Sequence, residues 1–168
     1  NAWYIAAWQE ELDEGIVART ILNEPIILFR DKKGHVGALE DRCCHRGAPL
    51  SQGEVVESGL QCGYHGLIFD CSGKCVEIPG ADNISPQTKV RSYPVVERQQ
   101  IIWIWMGDFK LADASKIIDY AFHDQPKKWP HKKAMFGIKA NYMMMMDNLM
   151  DLSHLAFVHR KTIGGNPA

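Results

Sequence analysis

Two short segments carry the side chains best suited to chemistry. Cys43, Cys44 and His45 form a C-x-H pair, and Cys62, Gly63, Tyr64 and His65 form a C-x-x-H pair, with the 16 residues 46 to 61 between them. Together they offer two thiolates and two imidazoles. That donor set can close a tetrahedral zinc site, or it can hold a [2Fe-2S] cluster with one iron on two cysteines and the other on two histidines. Each segment supplies one donor of each kind, so two facing loops can put both thiolates on an inner iron and both imidazoles on an outer one. Common zinc motifs favour C-x2-C pairs instead. Histidine ligands raise the potential of such a cluster above that of an all-thiolate ferredoxin, and their outer nitrogens can release a proton as an electron leaves. The chemistry on offer is single-electron transfer.

A second set lies in the run DNLMDLSHLAFVH, residues 147 to 159, which places Asp147, Asn148, Asp151, His154 and His159 in an otherwise apolar stretch. At about 100° per residue, Asp151 and His154 fall about 60° apart around a helix and share a face, whereas His154 and His159 fall about 140° apart. If both imidazoles hold one metal, the helix must kink, carry a π-bulge or end before His159, a kind of distortion common at functional sites. The alternative is an amphipathic helix with capping or surface histidines.

The segment DRCCHRGAPLSQGEVVESGLQCGYHGLIFD resembles the Rieske motif of the non-haem iron aromatic-ring oxygenases, including Arg46, Gly47 and Pro49 after the first pair and Tyr64, His65 and Gly66 in the second. NYMMMMDNLMDLSHLAFVH is similar to the part of the same oxygenases that carries an N-x-x-D-x-x-H-x4-H pattern. The resemblance implies a [2Fe-2S] cluster on Cys43, His45, Cys62 and His65 and a mononuclear Fe(II) on His154 and His159. It further implies that Asp151 bridges by hydrogen bonds toward a Rieske histidine and that Asn148 lies near the iron, which makes these two the expected catalytic residues. A site of two histidines and one carboxylate leaves positions open for O2 as co-substrate. In the family that carboxylate lies far downstream, and this sequence stops before it. NAWYIAAW, VARTIL, YPVVER, IWIWMGD and DNLMDLSHL extend the likeness over nearly the whole chain and match the vanillate O-demethylase branch best.

By that resemblance the expected fold is an all-β Rieske domain over residues 1 to 110, followed at 111 to 168 by a linker and the first part of an α+β catalytic domain of the helix-grip kind. The expected function is that of a terminal oxygenase component, a monooxygenase. It takes electrons from NAD(P)H through a reductase carrying flavin and an iron-sulfur centre, and it oxidises an aromatic substrate by removing the methyl group of an aromatic acid methyl ether. A homotrimeric ring is expected, with Asp151 connecting the cluster of one subunit to the iron of the next. Two rivals remain: a Rieske-type electron carrier without its own oxygenase site, and a zinc-binding interaction module.

The elements that must position these residues are legible in part. An apolar run at Pro25 to Phe29 turns at Asp31 to Gly34 and returns through Val36 to Leu39, a β-hairpin. Tyr93 to Glu97 and Ile101 to Met106 form a second hairpin around Arg98, Gln99 and Gln100. Between the hairpins lies a stretch dense in glycine and proline that also holds every cysteine. Residues 109 to 133 are polar, broken by Pro126 and Pro130, and read as a connecting segment with a short helix at Asp113 to Ile117. A strand is predicted over Ala134 to Ala140 and a helix over Tyr142 to Val158, with Met143 to Met146 as flexible core filler. Cys44 reads as a free thiol, Cys71 and Cys75 as bystanders close enough for a disulfide, and His35, His123 and His131 as surface residues.

Composition narrows the class. With 19 Lys plus Arg against 20 Asp plus Glu and a formal charge of -1, the chain has no field to hold a phosphate backbone, so no nucleic-acid role is expected. No uncharged apolar run approaches the roughly 18 residues of a spanning helix. Five cysteines, an odd number at spacings that suit no secreted disulfide framework, point to a reducing cytoplasm with no membrane attachment.

Overall fold

The β-branched and aromatic runs form antiparallel sheets. In the computed structural model, which describes residues 1–134 and 136–164, the strands are β1 (Ala2–Trp8), β2 (Val17–Ile21), β3 (Glu24–Arg30), β4 (Val36–Glu40), β5 (Glu54–Val56), β6 (Gly59–Gln61), β7 (Ile68–Phe69), β8 (Cys75–Glu77), β9 (Val95–Arg98) and β10 (Ile101–Met106). They pair as three sheets in the orders β1-β10-β9, β2-β3-β4 and β5-β6-β7-β8. Both expected hairpins are present, as β3 with β4 and β9 with β10. The second closes through two residues, Gln99 and Gln100, both at positive φ (57° and 65°), the primed-turn geometry that suits the twist of paired strands.

Period two in β3 divides the interior. Ile26 and Leu28 point into a core shared with Ala38, Ile102, Ile104 and Met106. Ile27 and Phe29 point the other way, into a core with Leu39, Leu50, Leu60 and Phe69. This second core lies beneath the glycine-rich loops and includes Cys43 and Cys62. Strand β10 is buried along its whole length, because Ile101 and Trp103 pack on the face opposite Ile102 and Ile104, against Ile117, Trp3 and Tyr120.

The chain divides into two compact units, Asn1–His131 and Lys132–Ala168. Residues 109 to 131, read as a connecting segment, belong to the first. Ile117 is buried, Tyr120 stacks on Trp103 with ring centroids 6.1 Å apart, and the Gln100 side chain donates to the His123 carbonyl. The short helix expected at Asp113 to Ile117 is one 3-10 turn, Ala114–Lys116, capped by the Asp113 carboxylate.

Two expectations fail in the second unit, the strand over 134 to 140 and the buried role of Met143 to Met146, and the predicted helix is interrupted. The described residues of 134 to 140 form no strand, since alternation alone makes no ladder when no partner strand lies alongside. The predicted helix is broken: α1 (Tyr142–Met150) ends at Asp151, a 3-10 turn covers Leu152–His154, and α2 (Leu155–Val158) follows. Met143, Met144 and Met146 are exposed within this chain and fill no core. Among the described residues no helix is long and apolar enough to cross a membrane.

Candidate metal centres

Two loops with the same hydrogen-bonded closure carry the first donor set. In one, the Cys43 N–H donates to the Ala48 carbonyl (2.8 Å) and the Gly47 N–H to the Cys43 carbonyl (2.9 Å). In the other, the Cys62 N–H donates to the Leu67 carbonyl (2.8 Å) and the Gly66 N–H to the Cys62 carbonyl (3.0 Å). Each closure needs a left-handed residue at the same place, and Gly47 (φ 72°) and Gly66 (φ 74°) supply it without a Cβ penalty. The Asp41 carboxylate spans the ends of the first loop, accepting from the Ser51 N–H (2.7 Å) and the Ser51 hydroxyl (2.6 Å).

The twin closures sort the donors by depth. Cys43 and Cys62 are 3% and 2% exposed, rooted in the same core, and the Cys62 thiol is near enough to that of Cys43 to help raise it. His45 and His65 stand outward at the loop tips, exposed, with ring centroids 4.6 Å apart. Tyr64, also exposed, lies with its ring 3.9 Å from that of His65. Thiols pair with thiols and imidazoles with imidazoles. Among the described residues no three of His, Cys, Asp and Glu gather where a single ion could hold them, so the arrangement is two by two. A cluster with two irons needs such a division, with cysteines inside and histidines outside, and the donors fit it. Burial pushes the Cys43 thiol up to about 11, so it stays protonated near neutral pH unless a metal displaces the proton.

The second set owes its geometry to Asp151. Its carboxylate accepts from the Ser153 N–H (3.0 Å) and hydroxyl (2.6 Å), which ends α1 and starts the next turn. The Ser153 hydroxyl holds this exposed carboxyl below its ordinary range. With the helix interrupted there and ended again at Val158, the rings of His154 and His159 come within 5.4 Å, centroid to centroid. His154 Nδ1 lies against the Asp151 carbonyl. A proton on Nδ1 satisfies that contact and leaves the Nε2 lone pair available to a metal. Both histidines are half-buried, whereas Asn148 on α1 and the Asp151 carboxylate are exposed. Among the described residues no carboxylate joins the histidine pair.

The remaining candidates lie apart from both sets. All five cysteines are free. Cys44 is exposed, Cys71 faces the Asp31 carboxylate and the His35 carbonyl (both 3.8 Å), and Cys75 is buried with its sulfur 3.3 Å from the Glu77 carbonyl. His35 is an exposed residue paired with Asp31. His123 is not a plain surface residue, because it packs among Trp8, Tyr120, Phe122 and His131 with centroid distances of 4.6 to 5.8 Å. The Gln100 side chain, donating to the His123 carbonyl, holds the segment down, and residue type alone carries no signal of that contact.

Loops of this construction define a class, and the comparisons with known proteins agree. Residues 2–94 match the model of the Rieske [2Fe-2S] domain, and the chain belongs to that family. Residues 138–168 match the vanillate O-demethylase oxygenase C-terminal domain. The chain is 51% identical, over all of its length and 48% of the relative's, to the iron-sulfur subunit of the toluene-4-sulfonate monooxygenase system of Comamonas testosteroni. It is 48% identical to the oxygenase component of dicamba O-demethylase from Stenotrophomonas maltophilia, over 95% of this chain and 47% of that one. Among solved structures it is similar to dicamba monooxygenase bound to dicamba, at a TM-score of 0.83 and 47% identity, covering 95% of this chain and 48% of that one. The chain spans about half the length of the curated relatives it matches.

Proposed function

We propose that the chain forms the electron-receiving half, and part of the oxygen-using half, of a terminal oxygenase component. The observation that carries this is the sorting of donors by the twin loops, thiols in the core and imidazoles at the surface. Cys43 and Cys62 hold the inner iron of a [2Fe-2S] cluster, and His45 and His65 hold the outer one. His154 and His159 offer two neutral imidazoles to a mononuclear Fe(II), whose carboxylate ligand comes from elsewhere in the full protein. When bound, the cluster supplies one-electron transfer and the single iron supplies a site for O2. Residues 1 to 110 make the cluster domain, and residues 111 to 168 contain the segment leading into the helix-grip catalytic domain.

The substrate is an aromatic acid methyl ether. One oxygen atom of O2 enters the methyl carbon, and the other leaves as water with two electrons and two protons. The resulting hemiacetal collapses to a phenol and formaldehyde. Electrons come from NAD(P)H by way of a reductase with flavin and an iron-sulfur centre. The working enzyme is a homotrimeric ring in which Asp151 links the cluster of one subunit to the iron of its neighbour. Similarity to the dicamba and vanillate enzymes supports demethylation. The 51% identity to a toluene-4-sulfonate monooxygenase subunit favours a second reading, with an aromatic sulfonate as substrate. The test is full-length protein given a reductase, NADH, O2 and methoxybenzoates or toluene-4-sulfonate. Release of formaldehyde with the phenol supports demethylation, oxygenation of the sulfonate alone supports the second reading, and a cluster that is reduced without any O2 uptake contradicts both.

A further inference from the structure

Three indoles stand on one face of the sheet β1-β10-β9. Trp3 on β1 lies opposite Trp105 on β10, and Trp103 follows on the same face by the period of two. Each indole carries one N–H and no acceptor, so each must donate somewhere. Trp3 Nε1 donates to the Asp113 carbonyl (2.8 Å) and Trp105 Nε1 to the Asp108 carbonyl (2.9 Å), which ties the segment after β10 to the sheet. Trp103 Nε1 is buried and donates to nothing, the one such side-chain atom among the described residues. The residue is only 4% exposed, with Tyr120 stacked on its ring. A buried tryptophan N–H normally finds an acceptor, and leaving it without one costs stability. Packing alone gives no reason to keep the nitrogen.

Beside these rings opens a cavity of about 420 Å³. Trp3, Trp103 and Trp105 make its aromatic wall, and Ile117 and Ile118, just past the Ala114–Lys116 turn, add an aliphatic one. Among the described residues Lys116 is its only charged side chain, and it makes no ion pair. The neighbouring Asp113 carboxylate is engaged by the Ser115 N–H and hydroxyl (3.0 and 2.7 Å). Apolar and aromatic walls with a few polar groups are the make-up of a small-molecule site. A donor without an acceptor and an ammonium without a carboxylate both call for one anionic acceptor, and the indole faces call for a flat ring. We propose that this cavity binds a small aromatic carboxylate, its ring against the tryptophans and its carboxylate accepting from Trp103 Nε1 and facing Lys116. None of these residues belongs to either donor set, and the inference does not depend on the proposed reaction.

The probe is 2-naphthoate, two fused rings with one carboxylate, measured on full-length protein by equilibrium dialysis and by NMR of isotope-labelled indoles. Binding with a dissociation constant on the order of 0.1 mM is expected for a ligand of this size. The indole signal that Trp103→Phe deletes should move downfield in the wild type as naphthoate is added. Trp103→Phe should weaken binding about tenfold, the loss of a hydrogen bond to a charged group. Lys116→Gln should weaken it about threefold and remove its salt dependence. The uncharged 2-naphthamide should bind more weakly than naphthoate to the wild type and equally to Lys116→Gln. If Trp103→Phe fails to fold, selective labelling still identifies the indole that moves, and Lys116→Gln, on the surface, decides the charge. Full binding retained in both variants, or a Trp103 indole proton that ignores the ligand, overturns the site. So does an absence of binding with that proton protected from solvent exchange, which would mean that a further segment of the full-length chain covers the cavity.

Discussion

The Asp41 carboxylate is the clamp of the first ligand loop, and its removal has a size that follows from the structure. It accepts two hydrogen bonds from Ser51, one from the amide and one from the hydroxyl. A hydrogen bond contributes about 0.5 to 1.5 kcal/mol, or more when an acceptor is charged, and both residues are half-buried and partly screened, so about 1 to 1.5 kcal/mol applies to each bond. Asp41→Ala loses both and should cost about 2 to 3 kcal/mol, whereas Ser51→Ala loses only the hydroxyl bond, about 1 kcal/mol. Once Asp41 is gone the hydroxyl has no acceptor to lose, so the double variant should match Asp41→Ala, a coupling of about 1 kcal/mol. Urea denaturation reads this directly, because a slope near about 2 kcal/mol/M turns the Asp41→Ala cost into a midpoint lowered by about 1 to 1.5 M. Additive costs in the double variant, or an Asp41→Ala midpoint within about 0.2 M of wild type, would refute the clamp.

Cys62→Ser should abolish visible colour and labile sulfide, while Cys71→Ser and Cys75→Ser keep both; bleaching by either of the latter would show that the cluster ligands are misassigned. In full-length protein, His154→Ala or His159→Ala should remove about one iron and all turnover, with the Rieske absorption intact. Asp151→Asn keeps a side-chain oxygen for Ser153, so iron content should hold while reoxidation of the reduced cluster slows severely in stopped flow; wild-type reoxidation would remove the bridging role. Burial and the hydrogen bond to Glu24 raise the Tyr93 phenol above its ordinary range. A raised group of this kind contributes stability that is complete below the unfolded value near about 10 and is lost as pH rises beyond it. Denaturant midpoints should therefore fall above about pH 10 in wild type, and Tyr93→Phe should remove that part of the decline.

Both hairpins were legible because β-branched and aromatic residues alternate between two buried faces, as Ile26 to Phe29 do. The ligand loops were legible because cysteine, histidine and glycine recur in them at nearly fixed spacing. Their shared closure was not, since carbonyl partners such as Ala48 and Leu67 leave no trace in residue type. The break at Asp151 was readable as a necessity, from the angle between His154 and His159, but its place was not. Asp-x-Ser caps compete with helix interiors through side-chain bonds that a periodicity count ignores. The strand expected at Ala134 to Ala140 and the buried role given to Met143 to Met146 failed for a common reason. Both depend on what packs against them, and pattern alone names a face without naming its cover.

In the proposed cluster Cys43 and Cys62 bind one iron and His45 and His65 the other. The most direct measurement is electron nuclear double resonance on the reduced, anaerobically prepared protein, taken with its labile sulfide content. Two sulfides per chain and coupling of the reduced cluster to two histidine nitrogens are expected, with that pair lost when His45 and His65 are replaced. Stoichiometric zinc without labile sulfide, or a cluster signal with no nitrogen coupling, would contradict it.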